Sequence, residues 1–352
     1  MSTARNALTP EALAMMEAIA RSGSFAGAAR DLGKVPSALT YSVRQLEDAL
    51  DVLLFDRRSR QAEMTAAGRE LLAEGRRLLA ETDAVANRVR RVATGWETRF
   101  TVVVDDVISR VTLLELCESF YAQPAAPGSE AHAGARGGPP TRLRLRTEVL
   151  GGTMEALVTG QADLAIGIGA EPGQARGLQR KELGTLDFVF AVAPRHPLAG
   201  AAAPISDAEL MCHRAIAVAD SAQRATPLTV NLLPGQDVLT VTSMQDKIEA
   251  LRRGLGCGFV PEVLAREHLA AGRLVAKAVQ RPALAARLAY AWRLPGAATD
   301  GAGSRSDAGS GPSRRGGARS SPLGLALRWW LAQLEHPTTR RALLERVAPT
   351  LA

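Results

Sequence analysis

The chain has 352 residues, too many for one ordinary hydrophobic core, so we expect two or three domains. Its 43 lysines and arginines minus 36 acidic residues give a net charge of +7, which suits an anionic partner without proving one. The three cysteines are scattered and form no CxxC pair, which argues against a disulfide framework or a zinc site. No apolar run approaches the roughly 18 residues that a membrane span requires. We therefore expect a reduced, cytoplasmic protein without membrane contact, metal or cofactor.

The first predicted elements are three short helices. Thr9 as N-cap and Pro10 at the first helical position start a helix over 9–21. The segment 24–68 then holds two amphipathic helices hinged at Gly33 and Lys34, followed by an Arg-rich turn. Helices joined this tightly are typical of a helix-turn-helix, and apolar residues before the turn complete a winged helix.

The polar face of the second helix in this pair is a candidate DNA-contacting surface. Hydroxyl, phenol and guanidinium groups reach base edges or phosphates, and a turn with three arginines suits phosphate or minor-groove contact. An ordinary solvated helix face is the alternative. The candidate DNA-contacting residues are Ser24, Pro36, Ser37, Thr40, Tyr41, Arg44, Arg57, Arg58 and Arg60.

A composite pattern across this segment matches a known family. Its members are Phe25, Ala28–Ala29, Pro36–Thr40, Val43, Leu46–Glu47, Leu54–Arg57 and Thr65–Gly68. With these residues the segment resembles the LysR-type transcriptional regulators. The family commonly has Gln-Pro-Ala at the start of the recognition helix and an Arg one turn later, where this chain has Pro36-Ser37-Ala38 and Tyr41. The resemblance therefore implies binding of double-stranded promoter DNA, but not which base sequence is read.

Residues 65–95 predict one long helix. Leu71, Leu78, Val85 and Val92 recur every seven residues, which is the coiled-coil period. A rod of about 29 residues, roughly 44 Å long, cannot bury this seam alone and predicts a dimer. Packing against its own domain is the alternative. The family resemblance supports dimerisation here, and implies a homodimer or homotetramer with RNA polymerase as a further partner.

Strands and helices alternate beyond Trp96, which predicts an α/β fold with parallel pairing. The first-lobe elements are strands at 100–104, 142–149 and 162–168, and helices at 107–121 and 151–159. The second-lobe elements are strands at 188–193, 215–219, 238–242 and 258–260, and a helix at 243–253. A strand at 286–292 returns to the first lobe, so two lobes crossed by two connections would enclose a cleft.

This part resembles the effector-binding domain of the same family, which has the fold of periplasmic solute-binding proteins. The matching segments are 160–167, 190–198 and 254–261. The expected organisation is a winged helix-turn-helix over 1–64, a dimerising linker helix over 65–95 and a two-lobed effector-binding domain over 96–352. Within the last, we predict disordered insertions at 123–140 and 296–322, because both lack apolar content, and terminal helices over 323–352.

Ligands of open α/β sheets lie beyond the carboxyl ends of the strands, near helix N-termini. Small capping residues mark three such places, and helix capping alone is the alternative for each. The aspartates would repel an anion but accept from an amine or hydroxyl. The family resemblance implies that the hydroxyl residues contact the effector. The candidate effector-binding residues are Asp105, Asp106, Ser109, Gly152, Thr153, Thr242 and Ser243.

Catalysis finds little support in the sequence. None of the five histidines stands in a triad or metal-ligand spacing, and no phosphate-binding glycine motif is present. We therefore predict a transcriptional regulator modulated by a small-molecule effector, and not an enzyme. The alternative is a cytoplasmic small-molecule-binding protein or enzyme with a solute-binding fold, in which the N-terminal helices serve only for association.

Overall fold

The chain forms two compact units, Met1–Val89 and Arg90–Ala352, in the computed structural model. Within the described residues, no helix has the length and apolar character needed to cross a membrane. The described residues are 6–56, 63–124, 138–170, 177–224, 228, 230–281, 285–294 and 323–347. The predicted insertion 296–322 and residues 125–137 of the other lie outside them.

Three helices build the core of the first unit: α1 (Pro10–Ser22), α2 (Phe25–Asp31) and α3 (Pro36–Leu50). The Thr9 hydroxyl accepts a hydrogen bond from the N–H of Ala12 at 3.1 Å, and this cap starts α1 as predicted. The apolar faces of the three helices meet in one core, which confirms the predicted helix-turn-helix. Its fully buried members include Met16, Ile19, Leu39, Leu46 and Leu54.

A wing base follows α3. Phe55 and Met64 form an antiparallel bridge, and residues 57–62 between them lie outside the described part of the chain. The buried carboxylate of Glu47 accepts hydrogen bonds from the N–H groups of Leu54 at 2.8 Å and Phe55 at 3.3 Å. Glu47 therefore ties the end of α3 to the start of the wing.

The long helix α4 (Ala66–Thr94) begins beside this wing base. The hydroxyl of Thr65 accepts from the N–H of Gly68 at 3.0 Å and donates to the carbonyl of Leu53 at 2.7 Å. A Cβ on Gly68 would lie 2.1 Å from the carbonyl oxygen of Leu54, so this contact requires glycine. The 29-residue length agrees with the predicted long helix.

The second unit alternates strands and helices. In chain order they are β1 (Arg99–Asp105), α5 (Arg110–Tyr121), β2 (Arg142–Glu148), α6 (Gly151–Val158), β3 (Leu164–Gly169), β4 (Leu178–Val192), α7 (Asp207–Met211), β5 (Ala215–Val218), β6 (Val238–Val241), α8 (Met244–Arg252), β7 (Gly258–Pro261), α9 (Glu262–Ala270), β8 (Val275–Ala276), β9 (Ala285–Arg293), α10 (Leu325–Glu335) and α11 (Pro337–Glu345).

The main sheet has the strand order β2-β1-β3-β9-β4-β7. β1 pairs in parallel with β2 and β3, as predicted, whereas β9 returns antiparallel between β3 and β4. The first part of β4, up to Asp187, pairs with β9 in the first lobe. From Phe188 onward β4 pairs with β7 in the second lobe. The two lobes therefore share one strand.

β4 is longer than the sequence pattern predicts. The strand begins at Leu178 rather than near Phe188, because its first half alternates exposed polar residues with partly buried ones and lacks an apolar run. The terminal helices α10 and α11 pack on the first lobe, where Trp330 is fully buried beside Phe100.

Candidate functional site

The outward face of α3 carries five of the predicted DNA contacts. Each of them is exposed, whereas Leu39 and Val43 of the same helix are buried. Tyr41 is 63% exposed, and its hydroxyl accepts a hydrogen bond from the side-chain amide of Gln45 at 3.0 Å. This contact directs the phenol ring along the helix surface. The five exposed residues are Pro36, Ser37, Thr40, Tyr41 and Arg44.

Of the remaining predicted DNA contacts, Ser24 belongs to the described residues and the three wing arginines do not. The half-buried hydroxyl of Ser24 accepts from the N–H of Gly27 at 3.0 Å, so Ser24 is the N-cap of α2. Arg57, Arg58 and Arg60 lie outside the described residues. The wing arginines therefore stay a prediction from the sequence.

A cavity of about 670 Å³ lies between the two lobes of the second unit. Its volume is in the range of small-molecule sites, and its walls are mainly apolar, as such sites usually are. Both lobes and the shared strand β4 contribute to the walls. The apolar residues include Leu150, Met154, Phe188, Val218, Met244 and Phe259, and the charged ones are Asp105, Asp106, Arg180, Lys247 and Arg287.

Asp105 ends β1 at the cavity wall and is buried. Its carboxylate accepts from the N–H groups of Val107 at 3.1 Å and Leu150 at 2.9 Å. Burial, together with a smaller contribution from the neighbouring Asp106, raises the pKa of this carboxyl from 3.8 to about 7 despite those two hydrogen bonds. Asp105 thus exchanges its proton near neutral pH.

Asp106 joins the two lobes. Its carboxylate accepts from the N–H of Met244, the first residue of α8, at 2.6 Å, and from the exposed guanidinium of Arg110 at 3.2 Å. A carboxylate at this position satisfies a helix N-terminal donor and complements the helix dipole. Asp106 therefore caps a second-lobe helix from the first lobe.

A second interlobe contact lies at the start of α6. The Ser221 hydroxyl, on the loop after β5, accepts from the N–H of Val149 at 2.9 Å. A Cβ on Gly152 would lie 1.9 Å from this hydroxyl oxygen, so the approach requires glycine there. On the same loop, the Asp220 carboxylate accepts from Leu228 at 2.8 Å and stands beside Gly151.

The structure separates the predicted effector residues into two groups. Asp105 and Asp106 line the cavity, whereas the other five are absent from its lining within the described part of the chain. Ser109 and Ser243 cap α5 and α8, and the Thr242 hydroxyl donates to Asp246 at 2.9 Å. Thr153 is fully buried, and its hydroxyl oxygen has no partner among the described residues. For Ser109, Gly152, Thr153, Thr242 and Ser243, effector contact stays a prediction.

Lys247 is a cavity residue that sequence reasoning missed. It lies on α8 and is only 9% exposed, and its side chain has no hydrogen bond or ion pair with any described residue. Burial lowers the pKa of its ammonium from 10.5 to about 8. In the sequence it looks like any lysine on an amphipathic helix, so the only available signal was its position one turn after the predicted cap Ser243.

Both units match known families. Residues 10–69 match the family described as bacterial regulatory helix-turn-helix protein, lysR family, and residues 135–298 match the LysR substrate binding domain. The probable HTH-type transcriptional regulator YhaJ of Escherichia coli K12 is 38% identical over 76% of this chain and 85% of YhaJ. The HTH-type transcriptional activator AllS of Klebsiella pneumoniae is 30% identical over 76% of this chain and 95% of AllS. The structure of full-length CbnR with its target DNA is 18% identical, with a TM-score of 0.48, over 81% of this chain and 93% of that chain.

Proposed function

Since this chain belongs to the LysR family of helix-turn-helix transcriptional regulators, we propose that the exposed face of α3 reads promoter DNA and that the interlobe cavity binds the controlling effector. The chain is a DNA-binding transcriptional regulator with an effector-binding domain. Regulators of this family are not enzymes, so membership favours this function over a solute-binding protein or an enzyme.

The exposed face of α3 is the observation that carries the DNA-reading proposal. Five side chains able to contact bases or phosphates point away from a closed core, so binding DNA would not disturb the fold. Arg44 supplies a guanidinium that is able to bind guanine or phosphate, and Tyr41 supplies a ring and a hydroxyl. Glu47 supports this surface by fixing the wing base beside it. The wing arginines Arg57, Arg58 and Arg60 would add phosphate contacts.

The cavity supports the effector proposal because it lies between two lobes, and polar contacts bridge those lobes beside it. Asp106 and Ser221 each bridge the lobes through a backbone N–H group. A ligand in the cavity touches both lobes, so its binding favours the lobe arrangement that fits it. An effector changes activity only if it binds one arrangement more tightly than another. These bridges are the contacts that such a change would strengthen or break.

Association through α4 is a further part of the proposed function. The apolar side chains of Leu78, Val85 and Val89 are exposed on this helix, and exposed apolar stripes of this kind mark association surfaces. We expect a homodimer or homotetramer. RNA polymerase as a partner rests on the family resemblance alone. A regulator of promoter DNA works where the chromosome is, and we therefore place it in the cytoplasm.

The direct test is binding of the purified full chain to the DNA upstream of its own gene, measured by fluorescence anisotropy with a panel of metabolites. We expect binding that weakens steeply with salt, and at least one metabolite that changes the affinity or the protected length of DNA. Equal affinity for random DNA of the same length would contradict the DNA-reading proposal. Identical DNA binding with and without every ligand that binds the protein would contradict the effector proposal.

A further inference from the structure

We propose that the effector is a small monocarboxylate with an apolar body, and that the ammonium of Lys247 binds its carboxylate. This inference rests on the proposed function, because it takes the interlobe cavity as the effector site. Four observations support it: the unpaired lysine, the filled helix N-termini, the apolar walls around the lysine, and the carboxylates on the opposite wall.

Lys247 is buried in the cavity wall without a counter-ion. It is 9% exposed, and no described carboxylate lies within 4.0 Å of its ammonium. Burying an unpaired ammonium is costly, and the cost falls when an anion binds beside it. With a pKa of about 8 the side chain still carries its charge in most molecules at neutral pH. An anionic group in the cavity would therefore gain a desolvated, oppositely charged partner.

At the helix N-termini of the cleft, where an anion usually binds, the protein already places its own carboxylates or hydroxyls. Asp106 accepts from the first N–H of α8, and the Ser243 hydroxyl accepts from the N–H of Asp246 on the same turn. At α6 the Asp220 carboxylate stands beside Gly151. An anionic ligand is thereby directed away from these sites and toward the lysine. The sequence predicts ligand contacts at these helix N-termini, whereas in the structure side chains of the protein itself lie there.

The other cationic side chains of the cavity would interact more weakly with an anionic ligand. Arg287 is exposed, so water screens its charge, and Arg180 already interacts within the protein. Lys247 is the one buried cation among the described cavity residues. It therefore provides the strongest electrostatic interaction available to a ligand.

The surroundings of Lys247 define the rest of the ligand. Met244 lies one turn earlier on α8, and Phe259 of β7 and Val218 of β5 line the same second-lobe wall. These side chains suit a ring or a branched chain. The opposite wall carries Asp105 and Asp106 from the first lobe, and the carboxylate of Asp106 would repel a second carboxylate. The site therefore favours a monocarboxylate over a dicarboxylate.

The experiment uses isothermal titration calorimetry on the full chain, without DNA, with matched acids and amides. The probes are benzoate, phenylacetate and 1-naphthoate, their three primary amides, and terephthalate as a dicarboxylate. We expect at least one of the three monocarboxylates to bind at least about tenfold more tightly than its amide and than terephthalate. Lys247→Met should abolish this preference, whereas Lys247→Arg retains the charge and should keep part of it.

A matched control is Lys181→Met, which removes an exposed lysine of β4 that pairs with Glu335 outside the cavity and should keep the full preference. Lys247→Met should also raise the melting temperature of the ligand-free protein, because a buried unpaired charge is replaced by an apolar chain. Amides that bind as tightly as acids, an acid preference that survives in Lys247→Met, or no binding of any monocarboxylate would overturn the proposal.

A cavity-blocking variant separates failure of this inference from failure of the proposed function. Gly169 lines the cavity, and a Cβ there meets no atom within 4 Å, so Gly169→Trp is expected to fill space without disturbing the strand. If acids and amides bind equally and Gly169→Trp weakens both, the cavity is the ligand site but Lys247 is not the anchor. If Gly169→Trp leaves all binding unchanged, the cavity is not the ligand site and both proposals fail.

Discussion

The carboxylate of Asp106, in the first lobe, accepts a hydrogen bond of 2.6 Å from the backbone N–H of Met244 at the start of a second-lobe helix. The two residues are 138 positions apart in the chain. One side chain therefore serves both as a helix cap and as a link between lobes, which makes it a direct probe of how the lobes are held.

Removing this cap should destabilise the second unit. Asp106→Ala loses the acceptor for Met244, at a cost of about 1 kcal/mol, and Asp106→Asn should lose less because an amide oxygen remains. Urea unfolding at constant pH measures both. Arg110→Ala is the control, since it removes only the exposed ion pair with Asp106 and should change little. Equal stability of Asp106→Ala and wild type would contradict a structural role for this contact.

Asp105 should make stability depend on pH. Its folded pKa of about 7 lies above the ordinary 3.8, so the folded protein keeps the proton that the unfolded chain releases. The stabilisation is complete below pH 3.8 and is lost as pH rises to about 7. The full difference corresponds to roughly 4 kcal/mol.

The matched variant for this prediction is Asp105→Asn, which cannot titrate. The unfolding free energy of wild type minus that of the variant should fall as pH rises from about 4 to about 7, and then stay level. Asp163, which burial also raises to a pKa of about 6, is present in both proteins and cancels in the difference. A difference that stays constant over this pH range would show that Asp105 titrates normally.

Arg44 should contribute to DNA affinity. Arg44→Ala removes a cation from the exposed face of α3, so the affinity for upstream DNA should fall about tenfold and the salt slope should decrease by about one. Arg341→Ala removes another exposed guanidinium, from the second unit, and serves as the charge control. Anisotropy titrations at several salt concentrations give both quantities. An unchanged slope for Arg44→Ala would place this side chain away from the DNA.

Glu47 should hold the wing in place. Glu47→Ala leaves the N–H groups of Leu54 and Phe55 without their carboxylate acceptor, which costs about 1–3 kcal/mol. Glu47→Gln retains an acceptor and should recover part of both stability and DNA affinity. The exposed neighbour Asp48→Ala is the control. Thermal unfolding and DNA titration together test this, and normal DNA affinity in Glu47→Ala would separate the wing base from DNA binding.

The exposed stripe on α4 should determine the oligomeric state. Replacing Leu78 and Val85 together by glutamate places charge on the proposed seam, and the molar mass from light scattering should fall toward that of one chain. Arg341→Glu changes the charge of an exposed residue outside α4 and should leave the mass unchanged. A double variant that keeps the wild-type mass would mean that the chains associate elsewhere.

The helices and most strands could be predicted from sequence because their signals are local. The cap at Thr9, the apolar run of β1 and the alternation in β2 each lie within a few residues. The first half of β4 was not predicted because its exposed polar residues resemble a loop, and its partner β9 lies about a hundred positions later. A short window of sequence carries no signal of a strand pairing at that distance.

The candidate site was predictable only in part, for the same reason. Asp105 and Asp106 follow a buried strand, where ligand-binding residues of α/β sheets are expected, and both line the cavity. The sequence did not predict Lys247 as a cavity residue, because its role follows from its burial, and that burial depends on parts of the chain distant in sequence. The capping hydroxyls fitted the expected positions, but their hydrogen bonds go to their own helices. The sequence therefore predicted the position of the cleft, but not most of the side chains that give the cavity its charge and hydrogen-bonding groups.

The strand shared by the two lobes also sets an order of events during synthesis on the ribosome. The strands and helices of the second lobe lie between Phe188 and Ala276. The first lobe is complete only when β9, which pairs with β3, has also left the ribosome. The second lobe is therefore able to fold first. A chain that stalls before Ala285 leaves one edge of β3 unpaired, and such an edge is a template for aggregation.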